Sequence, residues 1–361
     1  MIEMKGITHT PVSIAFNKPE VQNNMHWIKS NPYFYYPFVF VSPFVTGMHR
    51  TREKHFPDAQ YIIADSGGFQ IMSQKLNVGW LDVLRWQEQI ADIGFTVDVP
   101  AYSYQSESEE YRYYTDEYFE RAMQVSNDNA WKMLESKSQD SKMQLWGVVQ
   151  GGNYEDLMRW YKNLTSNHSF PGYTCPLAST FNPKYKQDWI GQMQFAKEIN
   201  TNYHFLGRCE PLVVLTMAKL AQVTKKYYTY DTSSAAMGLM LGKYHEPYFL
   251  SSLRFSKIKP ETRVNFTDNK LPCDCPVCSK HTFMEIVDKY YTLYMHNVYV
   301  RVRFNNYANV MVQDDDIFHE LINKYINLQP TYRKNADILK SRIDQLIYEK
   351  ELTHGGINDF F

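Results

Sequence analysis

Tyr61-Ile-Ile-Ala-Asp65-Ser-Gly-Gly-Phe-Gln70 runs four strand-forming residues straight into an aspartate, a glycine pair and the start of a helical pattern. A short apolar run without polar alternation marks a strand covered on both faces, as in a parallel sheet. The same grammar repeats along the chain. Further strands are expected at Phe38 to Val41, Phe95 to Val97, Leu145 to Val149, Gly172 to Cys175, Tyr203 to Leu206 and Tyr227 to Tyr230. Between them lie helical patterns at Leu81 to Ile93, Ser108 to Lys137, Glu155 to Thr165, Lys184 to Ile199 and Pro211 to Lys225. Strands separated by helices pair in parallel. Units of about 25 to 50 residues fit an α/β (β/α)8 TIM barrel; a doubly wound open sheet is the structural alternative.

The bulk composition narrows the class. The chain has 361 residues, 44% of them apolar, enough for a sizeable core. A net charge of -1 argues against a surface that is basic throughout, although a local basic groove remains compatible with it. Five cysteines, clustered near chemistry-bearing segments, fit a reducing compartment better than a disulfide framework. Residues Met1 to Thr10 lack the apolar core of a signal peptide, and no run approaches the ~18 apolar residues of a membrane span. A cytoplasmic protein with no membrane partner is therefore expected. The 28 tyrosines and 21 phenylalanines suit base stacking and core packing equally.

Polar residues fall at one end of the strands. Asp65, Asp98, Gln150 and Asp231 each stand at or just past a C-terminal strand end, and in a parallel barrel those ends converge on one face. A single aspartate there is often only a helix cap. Four carboxylate or amide groups at matching positions point to a site. Gly67-Gly68 and Gly151-Gly152 let backbone approach a planar ligand. One aspartate could attack a sugar carbon while another moves a proton. Asp98 and Gln150 could grip a heterocycle edge, the carboxylate accepting from ring N–H and amine, the amide donating to a carbonyl. Ordinary sugar hydrolysis also uses two carboxylates, and spacing does not separate the two.

A second group stands apart. Cys273, Cys275 and Cys278 are followed by His296, and three thiolates with one imidazole satisfy tetrahedral zinc. The intervening Thr282 to Tyr294 reads as a helix that returns the histidine to the cysteine knuckle. His281 is a rival fourth ligand. Four protein ligands leave no position for substrate, so zinc here is expected to be structural. The domains expected are a barrel over 1–260, a zinc module over 261–312 and a C-terminal helical segment over 313–361. That last segment holds helices at Asp314 to Leu328 and Asn335 to Glu351.

Asp65-Ser66-Gly67-Gly68-Phe69-Gln70, Gly147-Val148-Val149-Gln150-Gly151-Gly152 and the Cys-x-Cys-x2-Cys segment closing at His296-Asn297 together resemble the tRNA-guanine transglycosylase superfamily. The match runs in family order from about Tyr61 to Asn297. The resemblance implies a (β/α)8 barrel with a zinc module, and exchange of a polynucleotide guanine for a 7-deazaguanine. It places Asp231 as nucleophile on C1′ and Asp65 as general acid/base. Asp98 and Gln150 would read the guanine edge beside Ser66, Gly67, Gly68 and Gly151. Phe69 and Leu206 would sandwich the base, with Leu177 lining it.

Departures are informative too. Where tRNA enzymes usually continue from the nucleophile with Pro-Thr-Arg, this chain has Thr232-Ser233-Ser234-Ala235-Ala236, without an arginine for a tRNA phosphate. The family's Gly-Gly-Leu-Ala becomes Cys175-Pro176-Leu177-Ala178, and proline has no N–H to donate to a base carbonyl. The acidic residue that follows in many bacterial members is replaced near Phe181, which favours a neutral 7-cyano group over a cationic aminomethyl. The zinc segment is shorter than in typical bacterial members, and no RNA-binding domain of archaeal type is expected after it. These features are similar to the phage and bacterial branch that inserts 7-deazaguanines into DNA. A flipped guanine is then expected, with phosphates held by Arg254, Lys257, Lys259 and Arg263, or by Arg301 and Arg303. The same exchange on tRNA, or a non-catalytic nucleic-acid-binding subunit, are the other readings. A homodimer is the expectation by analogy.

Overall fold

The computed structural model describes residues 6–14, 18–101, 103–104, 111–112, 115–178, 181–182, 187–207, 210–232, 273–282, 285–286 and 289–349. Eight parallel strands form one sheet: β1 (Ile7–Pro11), β2 (Phe38–Val41), β3 (Tyr61–Ala64), β4 (Ile93–Phe95), β5 (Gln144–Val148), β6 (Gly172–Pro176), β7 (Asn202–Leu206) and β8 (Tyr228–Thr232). Each of β2 to β8 pairs with its sequence neighbour, and β8 pairs with β1, Thr10 lying beside Asp231. A parallel bridge from Val12 to Phe40 brings β1 back to β2 and nearly closes the ring. That closure excludes the open doubly wound sheet. The ring is filled by Phe40, Ile63, Ile93, Phe95, Trp146 and Val148, a layered apolar interior of the kind that makes such barrels a packed core.

Helices cover the outside: α1 (Gly68–Ser73), α2 (Trp80–Ile90), α3 (Asp116–Ser136), α4 (Tyr154–Leu164), α5 (Trp189–Glu198) and α6 (Pro211–Thr224). Their starts are chemically marked. Thr115 and Asn153 cap α3 and α4 through side-chain oxygens that accept from Tyr118 N and Asp156 N, and Asp188 caps α5 by accepting from Ile190 N and Gly191 N. Pro211 opens α6, where its missing N–H costs nothing.

The observed elements shift some boundaries. β4 ends at Phe95, so Asp98 sits in the loop beyond the strand; β8 runs on through Asp231, which is therefore held in the sheet itself. β1 is an additional strand that the apolar runs do not reveal. Its backbone groups on the seam side are met by side chains instead of a full ladder. Asn309 donates to Ile7 O at 2.9 Å and accepts from Ile7 N at 3.0 Å, Asn305 donates to Ile7 O at 3.1 Å, Tyr36 donates to His9 O at 2.6 Å, and Tyr294 donates to Val12 O at 2.9 Å.

Three of those donors lie on α7 (Tyr290–Met311), packed on β1. The expected Thr282 to Tyr294 helix is met at Glu285, Ile286 and Tyr290 to Tyr294, with residues 283–284 and 287–288 outside the described residues; the long helix runs on well past its expected end, and His296 lies in its second turn. Then α8 (Asp315–Leu328) and α9 (Ala336–Tyr348) pack on the outer helices. Lys219 of α6 fastens α8, its amine donating to Val312 O at 2.8 Å and pairing with Asp315 at 2.5 Å. Residues 233–272, including the expected domain boundary at 260/261, lie outside the described residues, as do residues 105–110 at the start of the expected Ser108 to Lys137 helix.

Candidate active site

Asp65 follows β3 directly, and its carboxylate accepts from Ser66 N at 2.9 Å. The loop then turns through Gly67 at φ +69°, where a side chain would be strained and would strike Phe44 and Pro43. At Gly68 an added Cβ would sit 2.3 Å from the carbonyl oxygen of Asp98. The two glycines are thus what lets the Asp65 loop lie against the Asp98 loop. Ser66 ties them together, its hydroxyl donating to Asp98 Oδ1 at 2.7 Å while accepting from Gly68 N at 3.1 Å. Gln150, two residues beyond β5, donates its amide to the other Asp98 oxygen and accepts from Ala101 N at 2.8 Å.

Asp231 faces this group from β8. It is 5% exposed, and its Oδ1 accepts from Gly207 N at 2.9 Å and lies 3.2 Å from His204 Nε2. Asp98 and Asp231 both act on Asp65. The pKa of Asp65 is raised to about 7, first by burial, then by the charges of Asp98 and Asp231. Burial also pushes Asp98 up, opposed by the hydrogen bonds from Ser66 and Gln150. A carboxyl titrating near neutrality can give and take a proton at the working pH, and a second buried aspartate stands beside it, an arrangement open to acid/base chemistry next to a nucleophile.

The sequence-derived residues therefore gather at one end of the barrel. Phe69, at the start of α1, is 60% exposed, open to a planar ligand. Leu206 closes β7 on the barrel interior, and Leu177 N donates to Leu206 O at 3.1 Å. Ala178 N donates to Gln192 Oε1 at 2.7 Å, while Gln192 Nε2 donates to Gly151 O at 2.7 Å and Pro176 O at 2.9 Å. Pro176, Leu177 and Ala178 thus offer a ligand no free N–H. Gln192 and His204 were missed by sequence reading, because a single buried amide or imidazole in an apolar element carries no sequence signal beyond its own polarity. A cavity of about 310 Å³ lies at the opposite end, lined by Gly6, Lys225 and Tyr227 among others, and none of these carboxylates lines it.

Cys273, Cys275, Cys278 and His296 bring their donor atoms within 4.8 Å of one another. His296 Nδ1 lies 4.0, 3.3 and 3.2 Å from the three sulfurs in turn. A tetrahedron with zinc–sulfur bonds of ~2.3 Å has edges of about 3.7 Å, and the distances from His296 to the sulfurs scatter around that value, so the set fits a zinc ion. His281 is turned elsewhere, its Nε2 3.0 Å from the Tyr33 hydroxyl. Arg301 is 3% exposed, so its guanidinium is buried in the fold and not laid open on the surface as a phosphate contact would be. Arg303 pairs with Asp274 beside the cysteines. Arg254, Lys257, Lys259, Arg263, Ser233, Ser234, Ala235 and Ala236 lie outside the described residues. Among the described residues, no helix is long and apolar enough to cross a membrane.

No protein-family model matches the chain. It is similar to curated proteins named tRNA-guanine(15) transglycosylase from three archaea. The protein of Methanococcus aeolicus is 22% identical over 321 residues, covering 83% of this chain and 45% of that protein. That of Methanocaldococcus jannaschii is 22% identical over 298 residues, covering 79% and 42%, and that of Methanosarcina mazei 25% identical over 251 residues, covering 66% and 45%. The chain thus spans less than half the length of these relatives.

Proposed function

We propose that this protein is a pentosyltransferase that exchanges guanine in a polynucleotide for a 7-deazaguanine through a covalent glycosyl-enzyme. The observation that carries this is Asp65 with a pKa near 7 in the field of a buried Asp231. Asp231 attacks C1′ and the C1′–N9 bond breaks. The bonding pair leaves with guanine, which takes the proton held by Asp65. The incoming base then gives its N9 proton to the Asp65 carboxylate and its electron pair to C1′, and the C1′–O pair returns to Asp231. No net redox change occurs, and the pKa of Asp65 suits a group that must donate and accept in turn. Asp98 accepts from the guanine N–H edge while Gln150 donates to O6; Phe69 and Leu206 flank the ring. With no free N–H at Pro176 to Ala178, Gln150 carries the O6 contact.

DNA is the polynucleotide favoured here. The continuation Thr232-Ser233-Ser234-Ala235-Ala236 lacks the arginine expected for tRNA, and a buried Phe181 in place of an acidic residue favours the neutral 7-cyano-7-deazaguanine. The names of the curated relatives favour tRNA as the second reading. A side-by-side assay of labelled guanine uptake into DNA and into tRNA tests the choice. Label entering DNA supports the first reading, and label entering tRNA alone overturns it. The Cys273, Cys275, Cys278 and His296 set would hold zinc as a structural clamp, and such a thiolate site fits a cytoplasmic location. Retention of both Asp65 and Asp231 opposes a purely binding subunit.

A further inference from the structure

We infer that His204 is a positioning residue that assigns the two oxygens of Asp231 to different tasks, holding Oδ1 and leaving Oδ2 to attack the sugar. This deepens the transglycosylase reading and rests on it. Two donors meet Oδ1, Gly207 N at 2.9 Å and His204 Nε2 at 3.2 Å; among the described residues no donor meets Oδ2. A carboxylate only accepts, so Nε2 carries the proton. Nδ1 is then the acceptor, and the Thr229 hydroxyl, 2.7 Å away, is its donor. His204 and Thr229 are cross-strand partners in the β7–β8 ladder, and Asp231 stands two residues further along β8 on the same face. The ring is fully buried, stacked on Phe40 at 5.5 Å and flanked by Phe95 at 5.2 Å, which fixes its plane. Burial lowers its proton affinity, against the pull of Asp231. The donor is a neutral imidazole, so the carboxylate keeps its charge for attack.

In the glycosyl ester, Oδ2 carries the sugar and Oδ1 becomes the carbonyl oxygen. When the incoming base displaces the ester, charge returns to the carboxylate, and the two donors on Oδ1 stabilise it as it develops. His204 therefore acts on the rates of both half-reactions and not on base binding.

The test compares His204→Phe, which keeps an aromatic ring between Phe40 and Phe95 but has no donor, with His204→Gln, which restores one. The readouts are kcat, KM for a guanine-containing oligonucleotide, the rate of adduct formation and the melting temperature. His204→Phe is expected to lower kcat about 10- to 100-fold with KM changed less than about twofold, and His204→Gln to recover a large part of the loss. Thr229→Val, which removes the hydroxyl partner of Nδ1, is expected to fall between them and serves if His204→Phe does not fold. A folded His204→Phe with unchanged kcat, a loss confined to KM, or His204→Gln no faster than a folded His204→Phe overturns the inference. So does Thr229→Val at full rate where His204→Phe fails to fold. Wild-type protein that forms no adduct at all instead removes the transglycosylase reading itself.

Discussion

In the proposed exchange, Asp65 sets the pH dependence. Its carboxyl titrates at about 7 because burial and two neighbouring carboxylates disfavour its charged form. Adduct formation needs the protonated acid, so it should slow as pH rises through about 7. Displacement by the incoming base needs the carboxylate, so it should slow as pH falls through the same point. Exchange is then expected to peak near neutrality, checked by measuring the two half-reactions separately across pH. The sign of the stability effect follows from the same shift. The folded protein holds this proton above its unfolded value of 3.8, so the contribution is present at low pH and is lost as pH rises towards 7. Asp65→Asn cannot ionise and can still accept from Ser66 N. It should lose at least ~100-fold in turnover while melting at pH 8 no lower than wild type; a marked fall in melting temperature would contradict the strained-carboxyl reading. At this scale the sequence was most legible where a polar residue interrupts an apolar strand end, as at Asp65 and Asp231. It was silent on His204, Gln192 and the buried state of Arg301, because those depend on which residues face them across the fold.

Seven of the eight strands are legible as apolar runs, and β1 is not, for a physical reason. Ile7-Thr-His-Thr-Pro11 buries Thr8 and Thr10 on one face and sets His9 on the other against Tyr230, with ring centroids 5.0 Å apart, so burial leaves no apolar signature. Its seam depends on α7, and α7 in turn has no clean apolar stripe, because the face it turns to β1 is built from Tyr294, Asn305 and Asn309. Gly6 permits this fit: a Cβ there would stand 2.3 Å from Asn309 Oδ1. Asn309→Ala strips the partner from Ile7 N–H and is expected to cost about 1 to 3 kcal/mol in denaturant unfolding. An unchanged midpoint would mean that the seam is held by apolar packing alone. Gly68→Ala should drive the Asp65 and Asp98 loops apart and abolish exchange with little loss of global stability, read by activity beside the melting curve.

Across the whole molecule, the cysteine set and the active-site face are joined through α7, which carries His296 in its second turn and the seam residues further along. The binding energy of a metal held by this set would thereby be folding energy. Cys275→Ala should lose bound zinc and melting temperature together, and chelation should do the same to the native protein. A variant that melts unchanged yet loses turnover would place the metal in the chemistry. The barrel and the cysteine set were legible from spacing. The long α7 was not, because its neighbours on both sides remove the amphipathic period.

The most direct measurement is the intact mass of enzyme denatured after incubation with a guanine-containing oligonucleotide, in wild type and in Asp231→Asn. Wild type should carry the mass of an abasic oligonucleotide on the peptide containing Asp231, and the variant should carry none. An adduct of equal yield in Asp231→Asn, or one mapped to another residue, would contradict the assignment of Asp231 as nucleophile.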